Sequence, residues 1–266
     1  GAARSGRLAA LLHRTPLKIC ADNPFSINLY AEAGRAAEQP VSVVIECDTG
    51  QKRAGVVTPA EALALARIVQ DNPWLEFGGL MFYPPLDGWS ATREFLDVTR
   101  DGLASLGLVP EIISTGGTPN LRSIGLLNGA TEHRSGTSIF NDRMMMAAGV
   151  ANITDCALTI YTSLVSQADK ARGILDAGSK TFTPDTGGLD GFGLILEHPD
   201  ARIHKLAEEH GFLDVSNCET KPTIGDVLRV IPNHVCVVVN MFDQLIAVRD
   251  SIIVDILPVA ARGRLV

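Results

Sequence analysis

The chain has 266 residues, of which 46% are hydrophobic and 20% are charged, a composition typical of a globular protein with a sizeable core. Its net charge of −7, without any basic cluster, argues against a nucleic-acid partner, and no apolar run approaches the ~20 residues of a membrane-spanning helix. The five cysteines are odd in number and scattered, which argues against a disulfide framework and favours a reducing, cytoplasmic compartment. We therefore expect a soluble enzyme.

The first half of the chain alternates between short β-branched runs and longer stretches with helical periodicity. Strands are predicted at Leu17–Ala21, Val41–Glu46, Phe77–Phe82, Glu111–Ser114 and Ala130–His133. Helices are predicted at Ile27–Ala37, Pro59–Gln70 and Ser90–Leu106. This alternation indicates βαβ units and a parallel sheet, so the residues that follow each strand are the first candidates for chemistry.

After about residue 150 the pattern changes to closely spaced strands separated by turn residues. Strands are predicted at Ala157–Gln167, Gly173–Thr183, Gly191–Leu196, Val227–Ile231, Val235–Met241 and Ser251–Pro258. One short helix is predicted at Arg202–His210. The fold class expected from these patterns is α/β, with an α/β domain over residues 1–150 and a mostly antiparallel β domain over residues 151–266.

Two glycine-containing loops are candidates for binding a phosphate group. Gly116, Gly117 and Thr118 follow the fourth predicted strand, and Gly136 and Thr137 follow the fifth. Glycines let the backbone approach an anion, and N–H groups with a threonine hydroxyl supply donors. The alternative is a tight strand-to-helix turn with an N-cap. Two such loops on neighbouring strand ends favour the phosphate interpretation.

Arg53 and Tyr83 also follow predicted strands. The Arg53 guanidinium could bind an anionic oxygen at the mouth of the sheet, but a solvated surface turn is the alternative for this Asp-Thr-Gly-Gln segment. The Tyr83 phenol could face a ligand ring, although a lone tyrosine is commonly a core residue with a solvated hydroxyl.

His234 and Cys236 form the sharpest local motif. In the strand predicted there, residues two apart project from one face, and an imidazole beside a thiolate suits zinc. The alternative is a structural cysteine beside a hydrogen-bonded histidine. The other histidines, including His133, show no ligand spacing among themselves.

Five stretches of the chain together resemble one family of enzymes. They are VVIECDTGQKRAGV (43–56), STGGTPN (114–120), EHRSGTSIFND (132–142), GDVLRVIPNHVCVVVNMFD (225–243) and ARGRLV (261–266). They resemble the metal-activated, pyridoxal-phosphate-dependent D-threonine aldolase and D-serine dehydratase family. The five stretches occur in the same order as in that family and extend over essentially the whole chain. The resemblance implies an alanine racemase-like fold, which here means a partial TIM-type (β/α) barrel followed by a mostly antiparallel β domain.

The resemblance also implies cofactors and roles for the candidate residues. Gly116, Gly117, Thr118, Gly136 and Thr137 would hold the phosphate of pyridoxal 5'-phosphate. Arg53 would hydrogen-bond its phenolic oxygen, and Tyr83 would lie near its pyridine nitrogen. His234 and Cys236 would bind a divalent metal (Zn, or Mn or Mg). The substrate would be a β-hydroxy D-amino acid, and two copies of the chain would form a homodimer.

The sequence departs from the family pattern in ways that bear on activity. The family's aldimine lysine belongs to an Arg-Pro-His-x-Lys segment of the first barrel strand, and none of the six lysines here lies in such a segment. Ser138 stands where relatives often carry tyrosine. Because a complete (β/α)₈ barrel needs about 250 residues, five strands within ~135 residues indicate that the amino-terminal part of the family chain is missing.

Three interpretations therefore stay open. The first is a lyase of aldolase or dehydratase type, acting in its full-length form. The second is a non-catalytic remnant that keeps the phosphate and metal pockets. The third is an amino-acid racemase of the same fold, which would not need the histidine–cysteine metal pair.

Overall fold

The computed structural model describes residues 2–264, and these form two compact units. The first unit ends at Gly136 and the second begins at Thr137. Leu265 and Val266, which end the ARGRLV motif, lie outside the described residues. Over residues 2–264, no helix combines the length and the apolar character that crossing a membrane requires.

The first unit is built on a five-stranded parallel sheet in the order β1-β2-β3-β4-β5. Its strands are β1 (Lys18–Ala21), β2 (Val41–Cys47), β3 (Leu75–Phe82), β4 (Ile112–Gly116) and β5 (Glu132–Arg134). Its helices are α1 (Ala2–Leu12), α2 (Pro24–Ala37), α3 (Pro59–Gln70) and α4 (Trp89–Ser105), and a 3₁₀ helix (Thr118–Leu126) follows β4. All five strands and three helices predicted in this half are confirmed, and α1 is additional.

Side-chain alternation gives the two faces of this sheet different characters. In β2, Val43, Ile45 and Cys47 belong to the buried core with the helices. Because successive residues of a strand point to opposite faces, Ser42 and Glu46 lie on the other face, where both are only half-buried. The same alternation in β4 and β5 gives the second face further polar side chains, and these carry the candidate site.

Two helices of the first unit, α2 and α3, begin at side-chain caps that the sequence specifies locally. The Asn23 side chain accepts a hydrogen bond from the Ser26 backbone at the start of α2, where proline is the first helical residue. At α3, Thr58 and Glu61 form a reciprocal capping box. These signals explain why the helix positions were predictable.

The second unit contains a six-stranded sheet in the order β8-β11-β6-β7-β10-β9, and every pairing recorded within it is antiparallel. Its strands are β6 (Ile160–Ser166), β7 (Arg172–Leu175), β8 (Leu194–Ile195), β9 (Arg202–Leu206), β10 (Gly211–Asp214) and β11 (Val227–Ile231). Two helices, α5 (Arg143–Ala147) and α6 (Val235–Met241), and a hairpin of β12 (Gln244–Arg249) and β13 (Ile252–Pro258) complete it. The core is formed by Leu164, Leu175, Phe182, Ile195, Ile203 and Leu213.

Three predictions for this half are wrong. Val235–Met241 is helix α6 rather than a strand, and its first backbone N–H, that of Val235, is capped by a side chain from elsewhere in the chain, described below. Arg202–His210 contains strand β9 rather than a helix, since Arg202–Leu206 pairs with β10. The strand predicted at Gly173–Thr183 ends at Leu175.

The domain boundary expected at residue 150 stays a prediction. The chain divides into its two compact units between Gly136 and Thr137. The segment that follows it, which includes α5, joins the second unit, because Arg143 and Met144 donate backbone hydrogen bonds to the carbonyls of Pro232 and Asn233.

A test of the close packing in the parallel sheet is the change Gly79→Ala. Gly79 has φ of +142°, and a Cβ there would lie 2.0 Å from the carbonyl oxygen of Ile112 in the neighbouring strand. We expect this change to lower the free energy of unfolding by about 3 kcal/mol, measured by urea denaturation. The control is Gly6→Ala in α1, where a Cβ meets nothing within 4 Å and about 1 kcal/mol of stabilisation is expected. Equal stabilities for the two variants would contradict the close strand approach.

Candidate functional site

The carboxyl ends of the parallel strands bring three of the predicted residues together. Tyr83 follows β3, and its ring lies against the loop that ends β4, since a Cβ on Gly117 would lie 3.0 Å from Tyr83 Cζ. The guanidinium carbon of Arg53 lies 4.6 Å from the centroid of the same ring. Arg53 is also 3.6 Å from the Glu46 carboxylate. Arg53 is thus more than a solvated turn residue, although 57% of its side chain remains exposed.

Gly116 and Gly117 leave a space that side chains would fill. A Cβ on Gly116 would approach Arg134 Nη2 to 2.7 Å and Tyr83 Cδ2 to 3.2 Å. Gly117 has φ of +101°, in the region that favours glycine. Both glycines are therefore required by the backbone conformation or by the approach of neighbouring side chains, as expected for a loop that admits a ligand.

Arg134 is a site residue that the sequence reasoning missed. Its guanidinium donates to the Phe82 carbonyl oxygen at 3.1 Å and to Ser114 Oγ, and Ser114 in turn donates to Glu132 at 2.6 Å. Burial lowers the pKa of Arg134 from its ordinary value, while Glu132 and Glu46 act in the opposite direction. The available signal was its position immediately before the Ser-Gly-Thr loop.

His133 and Asn120 hydrogen-bond to the carbonyl groups of the loop formed by Gly116, Gly117 and Thr118, which is called the glycine loop below. The Nε2 atom of His133 lies 3.1 Å from the Gly117 carbonyl oxygen, and Nδ1 lies 2.8 Å from Thr115 Oγ1. Burial lowers the pKa of His133, which favours a neutral ring that donates through Nε2 and accepts through Nδ1. Asn120 Nδ2 donates to the Gly116 carbonyl at 3.2 Å. Both loop carbonyls therefore have protein partners.

Asn120 is itself fixed by buried partners. Its Nδ2 also donates to the Pro84 carbonyl at 2.7 Å, and its Oδ1 accepts from the Trp89 indole at 3.1 Å. The side chain is 2% exposed. Asn120 thus joins the segment after β3, the start of α4 and the glycine loop into one hydrogen-bonded arrangement.

The second predicted phosphate loop lies at the end of the first unit. Gly136 closes that unit, and Thr137 begins a short 3₁₀ turn (Thr137–Ile139) in the second. A Cβ on Gly136 would meet nothing within 4 Å, so close packing does not require glycine there. Binding of a phosphate by Gly136 and Thr137 stays a prediction.

The predicted metal pair adopts a different geometry from the one expected. His234 is the N-cap residue of α6, with extended backbone angles (φ −142°, ψ 123°), and Cys236 is exposed within the first turn of that helix. The two side chains are therefore not on one face of a strand. Among residues 2–264, no three His, Cys, Asp or Glu side chains form a group that could hold a metal ion by themselves.

His234 is nevertheless oriented as a metal-binding histidine commonly is. Its Nδ1 lies 3.0 Å from Oδ2 of Asp142, a fully buried carboxylate. This hydrogen bond raises the pKa of His234 above the ordinary histidine value, while burial opposes the change. Because Nδ1 is occupied, Nε2 is the nitrogen left for a ligand. The sequence reasoning quoted the motif that ends in Asp142 but assigned that residue no role.

All six lysines are exposed in the part of the chain that the structure describes. Lys18 begins β1 and pairs with Glu111, at the end of the sheet opposite the glycine loop. Lys52 lies on the loop after β2 with φ of 57°. Neither lies buried at the glycine loop, and the absence of the family's cofactor-binding lysine stays a prediction.

Comparisons with known proteins match each unit to a family model and match nearly the whole chain to one known enzyme. The model of the "Alanine racemase, N-terminal domain" family matches residues 1–143, and that of the "Putative serine dehydratase domain" family matches residues 157–248. A D-threonine aldolase from Arthrobacter sp. is 30% identical over 280 residues, which cover 99% of this chain and 72% of that protein.

Solved structures agree with the sequence comparisons. A D-threonine aldolase from Filomicrobium marinum superposes with a TM-score of 0.90 and 25% identity, over 100% of this chain and 75% of that one. The D-threo-3-hydroxyaspartate dehydratase from Delftia sp. HT23 gives a TM-score of 0.87 and 25% identity, over 97% and 76% of the two chains. These similarities confirm the partial (β/α) barrel followed by a mostly antiparallel β domain.

Two further structures carry substitutions at a histidine and a cysteine that lie two positions apart. Both are variants of a D-threo-3-hydroxyaspartate dehydratase, one with a cysteine changed to alanine and described as metal-free, the other with a histidine changed two positions earlier. His234 and Cys236 have the same spacing. On the match over nearly its whole length, the chain belongs to the family of D-threonine aldolases and D-serine and 3-hydroxyaspartate dehydratases, which are lyases with an alanine racemase-like fold.

Proposed function

We propose that this chain is the phosphate- and metal-binding part of a lyase that depends on pyridoxal 5'-phosphate and a divalent metal and acts on β-hydroxy D-amino acids. The reaction is of the D-threonine aldolase type or of the D-serine or 3-hydroxyaspartate dehydratase type. The observation that carries the proposal is the 30% identity with a D-threonine aldolase over 99% of the chain. The glycine loop and the oriented His234 support it.

The residues around the glycine loop fit the cofactor. A Cβ would fill the space at Gly116 and Gly117, and the loop carbonyls are already bonded. Gly116, Gly117 and Thr118, with Gly136 and Thr137, would hold the phosphate, because backbone N–H groups and a hydroxyl are suitable donors. When bound, the cofactor supplies an electron sink for negative charge at Cα of the substrate.

Arg53 and Tyr83 would orient the cofactor ring. The guanidinium of Arg53 stacks on Tyr83 and keeps donors exposed, so it can hydrogen-bond a phenolic oxygen. The Tyr83 ring lies against the glycine loop and would lie near the pyridine nitrogen of the cofactor. Arg134, held by Phe82 and Ser114, adds a half-buried positive charge beside the same loop.

His234 and Cys236 fit a catalytic rather than a structural metal. A neutral imidazole nitrogen and a thiolate suit zinc, and two protein ligands leave positions for substrate oxygens. A divalent metal there would act as a Lewis acid on the substrate hydroxyl. His234 Nε2 and Cys236 Sγ would hold it, and His234 is kept in orientation by Asp142.

The exposed lysines favour a second candidate function for the 266-residue chain taken alone. No lysine lies buried at the glycine loop in the described residues, so the group that would hold the cofactor covalently is not provided there. In this candidate the chain binds phosphate and metal but catalyses nothing. We propose the lyase activity for the product of the complete gene, with a homodimer as its expected assembly.

Metal removal tests the lyase directly. We expect the product of the complete gene, supplied with pyridoxal 5'-phosphate, to convert D-threonine to glycine or D-serine to a keto acid. Because the metal activates the substrate hydroxyl, EDTA should abolish turnover and added Mn²⁺ or Zn²⁺ should restore it. The product identifies aldolase or dehydratase chemistry. Turnover that EDTA leaves intact would contradict the metal requirement, and turnover by the 266-residue chain itself would contradict the non-catalytic candidate.

The phosphate loop is tested by Gly117→Ala. The new methyl group would displace Tyr83, and the loop would no longer hold its conformation at φ of +101°. We expect at least a 10-fold weaker binding of pyridoxal 5'-phosphate, measured by equilibrium dialysis. Pyridoxal, which lacks the phosphate, should show a smaller difference. The matched control is Gly125→Ala, in the following 3₁₀ helix, where a Cβ meets nothing within 4 Å and affinity should not change.

The metal pair is tested by His234→Ala and Cys236→Ala. Each change removes one of two protein ligands, so we expect the zinc affinity, measured by competition with a chromophoric chelator, to fall at least 100-fold. Cys218→Ala is the control, because Cys218 lies in the same unit and its charged neighbours are Asp200, Lys221 and Asp214 rather than Asp142. A variant at either ligand position that binds zinc as tightly as the control would rule out that residue as a ligand.

A further inference from the structure

One buried carboxylate receives three hydrogen bonds beside the metal pair. Asp142 Oδ1 accepts from the backbone N–H of Met145, and Oδ2 accepts from the backbone N–H of Val235 and from Nδ1 of His234, each at 3.0 Å. The Asp142 side chain is fully buried. The carboxylate therefore joins the start of α5, the start of α6 and the His234 ring.

This arrangement decides which nitrogen of His234 carries the proton. An ionised carboxylate can only accept hydrogen bonds, so the 3.0 Å contact requires a proton on Nδ1. In the neutral ring the lone pair then lies on Nε2, the form that can bind a metal. A ring with its proton on Nε2 would present a donor to the metal instead.

The backbone around His234 is fixed from a second direction. Asn233 is fully buried, and its side chain accepts from Arg143 Nη1 at 2.7 Å and donates to the Gly191 carbonyl at 2.8 Å. Because the residues before and after His234 are both tied, the hydrogen bond to Asp142 governs the remaining freedom of the ring. Asp142 therefore both orients the His234 imidazole and caps the start of α6.

We propose that Asp142 is the positioning residue of the metal site, holding His234 in the Nδ1–H form with Nε2 directed to the metal. This inference rests on the proposed function, since it concerns the metal pair His234 and Cys236. It assigns a role to the last residue of the EHRSGTSIFND stretch (132–142). Carboxylates that accept from a ligand histidine commonly change metal affinity 10- to 100-fold when they are replaced.

The test is Asp142→Asn, which preserves shape but offers one acceptor oxygen to three donors. Either the Met145 or the Val235 N–H loses its acceptor, and the ring is no longer held by a negative charge. We expect zinc to bind about 10- to 100-fold more weakly, measured by chelator competition. The control is Asp176→Asn, whose Oδ1 accepts from Thr162 Oγ1 and from Ser163 N–H and can keep both bonds as an amide. Its zinc affinity should equal that of the unchanged chain.

A second measurement separates orientation from a merely structural effect. Long-range ¹H–¹⁵N spectra of the metal-free protein at pH 9 report which ring nitrogen is protonated, and the His234 signals are identified by their loss in His234→Gln. The unchanged chain should show the Nδ1–H form, and Asp142→Asn should gain the Nε2–H form. If that variant does not fold, as judged by circular dichroism, the spectrum of the unchanged chain decides the question by itself.

The outcomes distinguish this inference from the proposed function. An Nε2–H ring in the unchanged chain, or zinc affinity that Asp142→Asn leaves intact, would overturn the role of Asp142 while leaving the metal site standing. A chain that binds no zinc at all would overturn the metal site and, with it, any role of Asp142 toward a metal.

Discussion

The alternation of side chains along parallel strands is the constraint on which the first unit depends. One face of the sheet must be apolar to pack on the helices, and Val43, Ile45 and Cys47 meet that requirement. The opposite face is then free to be polar, and it carries Glu46, Ser114 and Arg134. The site is therefore a product of the same periodicity that builds the core, with the glycine loop placed where β4 ends.

Much of the first unit could be predicted because its signals are local. β-branched runs and helical periodicity identify the elements of this unit within three residues of their observed bounds, the largest difference being at α2, which begins at Pro24 rather than Ile27. Helix α6 could not be predicted in this way. Its valine-rich sequence is typical of a strand, and the carboxylate that caps its first N–H lies 93 positions earlier in the chain. A cap of that kind leaves no trace in the neighbouring sequence.

The residues of the candidate site likewise fall into those that the local sequence identifies and those that it does not. Arg53, Tyr83 and the glycines were identifiable because each follows a predicted strand, and the structure brings them into contact. Arg134, His133 and Asn120 were missed because they act mainly on main-chain carbonyls of other segments. Such bonds depend on tertiary placement rather than on residue type or spacing. The observation that none of the six lysines lies in an Arg-Pro-His-x-Lys segment, in contrast, needs only the sequence.

The three hydrogen bonds to Asp142 would couple local folding to metal occupancy at the proposed site. Any ligand that binds only the ordered form of His234 stabilises that form, by an amount that grows with its concentration above the dissociation constant. The amide hydrogens of Val235 and Met145 share the same acceptor group, so they would be released together when this region opens. Metal concentration would then set the rate at which two backbone positions, one in each of two helices, exchange with solvent. Hydrogen exchange at the start of α6 would then report metal binding at the proposed site without any substrate.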